Sequence, residues 1–273
     1  MKIVPAHELP LAEQAAIFNQ AFAGYLAGSI ELDPAAFAGF LCAQGADLCY
    51  SRFVRKKGKL LAFGFINRTG KISRLAAMGT IPEARRTGAA AQLLSHLLME
   101  AEARGDEAMV LEVFEQNLPA VALYRQQRFH EVTRLFGWRG RSKGAATKVN
   151  QLQEISPLVA AQMASAMEFP TLPWQISRYA VPKLPAAHAF CRNDVSIVVG
   201  STEAQPIRLH GFFGYDGQDW KRLRDLAAAV LGTFPQKEFF APAIFPEQFG
   251  TEIFQPLGFA REPLNQFLMR RDL

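Results

Sequence analysis

The sequence is short of cysteine, of long apolar runs and of dense charge of one sign, and each shortage argues against a class of protein. Three cysteines, Cys42, Cys49 and Cys191, stand in 273 residues; an odd number cannot all pair, and none forms a close pair with metal-ligand spacing. A disulfide-stapled framework is therefore not expected, and a reducing, cytoplasmic setting is. No apolar run reaches the roughly 18 residues of a membrane span. The opening Met1-Lys2-Ile3-Val4-Pro5 runs into a polar stretch rather than a secretory signal, so no membrane association is expected. His7, His96, His130, His188 and His210 are scattered without metal spacing, and no metal is expected. No stripe of Lys and Arg with interleaved aromatics suggests nucleic acid. The formal charge of +5 suits an anionic ligand and equally a solvated basic surface. Both monomer and homodimer stay open.

What is present is material for well-filled cores. Hydrophobic residues make up 49% of the chain and 22 residues are Phe, which argues for order rather than disorder. The length suggests two domains. Residues 9–23 read as an amphipathic helix with Leu11, Ala15, Phe18 and Phe22 near one face. Asp33-Pro34 reads as an N-cap and first helical position of a second helix to about Cys42. Three short β-compatible runs follow, 47–55, 59–67 and 71–81, punctuated by Lys57-Gly58 and Thr69-Gly70 as in an antiparallel meander. A long helix is expected from Gly88 to about Arg104, a buried strand over 108–114, a helix over 117–127 and a strand over 129–138.

Residues 139–150 are small and polar, and the segment 141–150 is the expected linker between a domain 1–140 and a domain 151–273. Beyond it, Ser156-Pro157 could cap a helix. Strands are expected over 189–200 and 206–214, a helix over 220–231, a strand over 238–245, a helix over 247–255 and a last strand over 259–269. This order echoes the first half. Tyr124-Arg-Gln-Gln-Arg-Phe129 has the spacing of Phe254-Gln-Pro-Leu-Gly-Phe259, each at the end of a short helix before a final strand, which predicts an internal repeat.

Two segments carry candidate chemistry. The first is Met78-Gly79-Thr80-Ile81, followed after Pro-Glu-Ala by Arg85-Arg86-Thr87-Gly88-Ala89-Ala90-Ala91, between a strand and the long helix. A loop entering a helix exposes backbone N–H groups that have no intrahelical partner, and small residues with the helix dipole let a phosphate reach them. Arg85 and Arg86 add positive charge. Taken alone, the loop also fits a plain turn into an amphipathic helix with surface arginines. The second segment runs from Leu111-Glu112 to Asn117 and on to Tyr124. Glu112 stands in an apolar strand, where an unpaired carboxylate is costly and a raised pKa would suit it to proton abstraction. Tyr124 could donate a proton. Taken alone, a strand-edge Glu and a core Tyr fit as well.

Together, in this order, the segments resemble the GCN5-related N-acetyltransferase (GNAT) superfamily. Its cofactor loop reads Gln/Arg-x-x-Gly-x-Gly/Ala, matched here by Arg85, Gly88 and Ala90, and its later motif is matched by Asn117, Ala120, Leu123, Tyr124 and Phe129. Arg128 replaces the motif's glycine. The resemblance covers about residues 1–140. It implies an α/β (α+β) GNAT fold, a mixed, mostly antiparallel sheet flanked by helices, here duplicated. It implies transfer of an acetyl group from acetyl-CoA to a primary amine, on a small molecule or a protein, by direct attack. Met78–Ile81 would pair with the pantetheine arm, the amides of Arg86–Ala91 would hold the pyrophosphate, and Asn117 would contact the cofactor or order its loop. Tyr124 would protonate the leaving thiolate. The stretch around Leu111-Glu112-Val113 further resembles the ribosomal-protein N-terminal acetyltransferases, which implies a base role for Glu112. Glu31 and Asp33, between the first two helices, are weaker acceptor-site candidates; Asp33 also reads as a helix cap.

The second half lacks the cofactor loop. Its counterpart, Gly214-Tyr-Asp-Gly-Gln-Asp-Trp220, carries Asp216 and Asp219, which would repel a pyrophosphate, and Phe254 stands where Tyr124 would. It reads as a degenerate repeat that is structural or completes the acceptor pocket. A non-catalytic acyl-CoA sensor or scaffold is the competing class; the retained Glu112 and Tyr124 favour an enzyme.

Overall fold

The computed structural model describes residues 1–141 and 152–273 apart from 164, 166 and 218, so the expected linker 141–150 lies outside the described residues beyond Arg141. The chain divides into two compact units. Unit 1 comprises Met1–Val113, Asn117–Glu131 and Leu268–Leu273; unit 2 comprises Phe114–Gln116 and Val132–Phe267.

In unit 1 the elements follow the order read from the sequence, with one addition. Strand β1 (Lys2–Pro5) comes first and pairs antiparallel with β2 (Asp47–Lys56), Lys2 opposite Arg55. Four residues ending in proline are too few to show an alternation, which is why this strand was not expected. Helix α1 covers Leu11–Phe22 and α2 covers Pro34–Ala43. The start of α2 is as predicted: the Asp33 carboxylate accepts from the Ala36 amide at 2.8 Å, and Pro34 takes the first helical position, where no N–H is needed. Strands β3 (Lys59–Thr69) and β4 (Ile72–Thr80) complete an antiparallel meander. Helix α3 (Ala89–Ala103) buries Leu93, Leu94, Leu97 and Leu98. Strand β5 (Ala108–Phe114) leads through α4 (Leu118–Gln126) to β6 (His130–Arg141).

The sheet of unit 1 runs β1-β2-β3-β4-β5, with the tail of the last strand beside β5. It is antiparallel except for β4 and β5. One face carries the phenylalanines of β2 and β3. Phe53, Phe63 and Phe65 pack with Phe18 of α1 and Phe37 of α2, with Phe18 and Phe63 centroids 5.5 Å apart and Phe63 and Phe65 centroids 5.1 Å apart. All five are fully buried. At about 1.5–3 kcal/mol per buried aromatic side chain, this cluster is the main apolar term fixing α1 and α2 on the sheet.

Unit 2 repeats much of this chain order. Strand β7 (Gln153–Ile155) precedes α5 (Pro157–Gln162), whose cap is Ser156. The run expected as one strand over 189–200 is a hairpin, β8 (His188–Arg192) and β9 (Val195–Val199). The break falls at Asn193-Asp194; Asn193 takes a left-handed φ of 58°, which a two-residue hairpin loop requires and Asn tolerates. Strand β10 (Ile207–Phe213), helix α6 (Trp220–Thr233) and strand β11 (Glu238–Pro246) follow. The helix expected over 247–255 is one α turn, α7 (Glu247–Phe249), widening into a π turn over Gly250–Phe254. Strand β12 (Ala260–Asp272) ends the chain. The order within this unit is β12-β6-β11-β10-β9-β8-β7, with β10 and β11 parallel. In each unit, then, a mixed and mostly antiparallel sheet carries helices.

The pair of motifs that suggested a repeat share a backbone turn. The Phe129 amide donates to the Tyr124 carbonyl at 3.0 Å, and the Phe259 amide to the Phe254 carbonyl at 2.9 Å. The residue before each is left-handed, Arg128 at φ 63° and Gly258 at φ 82°. Arginine therefore keeps the turn that glycine serves in the motif, at a strain of about 1–2 kcal/mol. Arg128→Gly removes that strain but gives the unfolded chain more freedom. The expected net gain is about 0.5–1 kcal/mol, read as a higher urea midpoint at unchanged slope; a lower midpoint would mean that the arginine side chain offsets its own strain.

Candidate active site

The site of unit 1 starts where two strands part. Strands β4 and β5 pair in parallel over Ile72–Leu75 and Ala108–Leu111. At Ala76 the β3–β4 register slips by one residue: Phe65 faces Ala77 while Ile66 faces Leu75. Such a bulge bends the strand. Beyond it β4 continues along β3 to Thr80, and a cleft of about 720 Å³ opens on its far side.

Each wall of the cleft comes from a different element. Met78, Gly79 and Thr80 of β4 line one side. A Cβ at Gly79 would lie 2.6 Å from the Phe63 ring and 2.9 Å from the Ala21 methyl, so only glycine leaves α1 this close to the strand. The floor is the start of α3. Gly88 is its N-cap in the left-handed conformation (φ 84°), no side chain caps it, and Gly88, Ala89, Ala90 and Ala91 all face the cleft. An uncapped helix start with small residues offers an anion free amides, a favourable dipole and room for close approach. Arg85 and Arg86 stand beside it, and Arg85 Nη2 also donates to the Ala21 carbonyl at 3.3 Å.

The opposite wall is the start of α4. Asn117 is its N-cap, with Oδ1 3.4 Å from the Ala120 amide, and Tyr124 lies about two turns along. Both line the cleft. Burial raises the Tyr124 pKa above the usual phenol value, with a further push from the neighbouring Tyr25. The phenol holds its proton throughout the neutral range.

The other expected residues lie elsewhere. Ile81 is fully buried in the phenylalanine-rich core, and its amide bonds the Leu61 carbonyl. Thr87 turns its hydroxyl to the Ala84 carbonyl at 2.7 Å. Glu31 and Asp33 do not line the cleft, and Asp33 is engaged as the cap of α2. Glu112 does not line it either. Its carboxylate is paired with the Arg74 guanidinium at 2.8 Å and 2.9 Å, with both side chains almost wholly buried, and Arg74 also reaches Gln44 Oε1 at 3.2 Å. The cost assigned to a carboxylate in an apolar strand is thus met by an ion pair with a residue four positions before the edge of the cleft.

Sequence reasoning missed the wall made by the end of α1: Ala21, Phe22, Gly24, Tyr25 and Leu26. Tyr25 bonds the Asn117 side chain; burial raises its pKa, and that bond opposes the rise. Its sequence signal was slight, an aromatic three residues after Phe22 in a glycine-containing turn.

The matching loop of unit 2 is built differently. Asp219 caps α6, accepting from the Arg222 amide at 3.3 Å, and Asp216 accepts from the Asp219 amide at 3.1 Å. Carboxylates thus occupy amides at this helix start. Behind them Tyr215, Trp220 and Phe249 pack together, with Trp220 and Phe249 centroids 5.0 Å apart. Phe254 is buried against Trp138. Among the described residues no group of three His, Cys, Asp or Glu side chains comes together to hold a metal ion, and no helix is long and apolar enough to cross a membrane.

Comparison with known proteins agrees with this architecture. Residues 13–129 match the acetyltransferase (GNAT) family. The [ribosomal protein bS18]-alanine N-acetyltransferase of Escherichia coli strain K12 is 35% identical over 78 residues, 29% of this chain and 53% of that protein. The match spans about half the length of this curated relative. The fold of the GCN5-related N-acetyltransferase from Kribbella flavida covers 100% of this chain and 71% of its own, at TM-score 0.65 and 12% identity. A tandem GNAT protein of the clavulanic acid biosynthesis pathway covers 99% of this chain and 98% of its own, at TM-score 0.62 and 13% identity. Residues 13–129 thus carry a likeness to the acetyltransferase (GNAT) family, and the solved structures share the fold around them.

Proposed function

We propose that unit 1 is an acetyl-CoA-dependent N-acetyltransferase acting on a primary amine. The observation that carries this reading is one cleft joining three features: the far edge of β4 at Met78–Thr80, the uncapped start of α3 at Gly88–Ala91, and the buried phenol of Tyr124. The α3 start with Arg85 and Arg86 suits a pyrophosphate. The β4 edge offers backbone groups to an extended arm with amides. Acetyl-CoA supplies an activated acetyl group as a thioester. The amine would attack the carbonyl carbon, the C–S bond would break, and Tyr124 would hand its proton to the departing sulfur. The proton lost by the amine would balance the transfer.

In this proposal Glu112, paired with Arg74 and outside the cleft lining, takes up the amine proton by way of water rather than by direct contact. The acceptor is an amine of a small molecule or of a protein. The name of the E. coli relative specifies an alanine acceptor, which makes an alanine-initiated peptide one member of a panel with an Nα-blocked lysine, spermidine and an aniline.

The proposal extends to the whole chain as a duplicated GNAT fold in which unit 2 binds no cofactor. The carboxylates and aromatics at the start of α6 and the absence of a hydroxyl at Phe254 support it.

Calorimetric titration with acetyl-CoA is expected to give one site per chain. Gly88→Glu is expected to abolish it, because the new carboxylate meets the pyrophosphate, at a backbone strain of about 1–2 kcal/mol that circular dichroism would show to be tolerated. Two sites, or unchanged affinity in a folded variant, would overturn the assignment. Tyr124→Phe should lower turnover roughly 10²–10⁴-fold at nearly unchanged acetyl-CoA affinity. Because burial raises the Tyr124 pKa, its proton is present below the ordinary phenol value and lost only above it; no alkaline fall in rate below about pH 10 should come from this residue. Glu112→Gln distinguishes base from support. A base role flattens the acidic limb of the pH–rate profile; a supporting role lowers the rate equally at every pH, with a lower melting temperature.

A further inference from the structure

The end of α1 forms a wall of the cleft, and contacts fix it from three sides. Tyr25 follows the last turn of α1, its amide on the Phe22 carbonyl at 3.1 Å and its ring edge-on to Phe22 with centroids 4.9 Å apart. Its carbonyl accepts from the Gly28 amide at 2.9 Å, closing a tight turn. Farther on, Asn19 clamps the segment: its amide nitrogen donates to the Leu32 carbonyl at 2.9 Å and its Oδ1 accepts from the Leu32 amide at 3.0 Å. From the cofactor loop, Arg85 donates to the Ala21 carbonyl. From α4, the Asn117 side chain bonds the Tyr25 phenol while also capping its own helix. Asn117 thus joins Tyr25 to the helix that carries Tyr124, and the two phenols lie close enough to sense each other's charge.

We propose that Tyr25 is a positioning residue for the acceptor amine: through Asn117 it holds the α1 wall at a set distance from Tyr124 and so fixes the width of the cleft on the acceptor side. This rests on the acyl-transfer reading. The groups that would hold the cofactor sit on β4 and at the start of α3, and the one that touches the α1 wall, Arg85, does so at the Ala21 carbonyl and not at Tyr25, so loss of the Tyr25 hydroxyl is expected to reach the acceptor before the cofactor. Ring packing against Phe22 survives in Tyr25→Phe, which removes one oxygen and one hydrogen bond.

The test uses the full chain with acetyl-CoA and the fastest amine of the four-member panel. Tyr25→Phe should raise KM for the amine roughly 3–10-fold, the range that one hydrogen bond supplies. The fall in kcat should be smaller, and the calorimetric affinity for acetyl-CoA should stay within about twofold. In an Asn117→Ala background the same substitution should have no further effect on KM, because the bond it removes is already gone. An unchanged KM in Tyr25→Phe, a shift confined to acetyl-CoA affinity, or equal effects with and without Asn117 would each overturn the positioning role while leaving acyl transfer intact. Should the wild-type chain acetylate none of the four amines, the acyl-transfer reading falls and this proposal with it, a result distinguishable from the other three.

Discussion

Parallel strands that stop pairing partway leave two facing edges open, and β4 and β5 stop at Leu75 and Leu111. Everything proposed for unit 1 depends on that parting. The bulge at Ala76 turns β4 away, and β3 keeps it straight as far as Thr80. The buried pair of Arg74 and Glu112 spans the junction where pairing ends. A buried ion pair adds little net stability, because desolvation opposes its attraction, but removing one partner costs about 3–5 kcal/mol. Such a pair is suited to specifying one arrangement of the two strands. The apolar surface that orders the same region comes from elsewhere, in the phenylalanines between sheet, α1 and α2.

Into this opening the chain directs groups that do not compete with one another. A phosphate needs free amides and positive charge, which the start of α3 and the two arginines supply. The buried phenol of Tyr124 stands on the opposite wall, protonated across the neutral range. The start of α6 in unit 2 is built differently. Its helix start is taken up by the carboxylates of Asp216 and Asp219, and the adjoining space is filled by Tyr215, Trp220 and Phe249.

Much of this was legible in the order of the residues, because the signals are local. Helix caps, glycine turns and apolar periodicity act within a few residues, and they located α2, α3, the meander and the loop Arg85–Ala91. Elements whose local signal was weak went astray for the same reason. Strand β1 is too short to alternate, and the hairpin β8–β9 hides its turn in one Asn-Asp pair inside an apolar run.

The sequence by itself determined the likeness to the GNAT family and most of the order of strands and helices, since each rests on spacing along the chain. Tertiary structure alone decided who meets whom. It gave Glu112 the partner Arg74, which lies 38 residues away in the chain, and so took its carboxylate out of the lining of the cleft. It turned Ile81 into the core. It brought Tyr25 to Asn117 from the far side of the cleft. Such pairings follow from the packing of whole elements on the sheet, and no spacing within the chain encodes them.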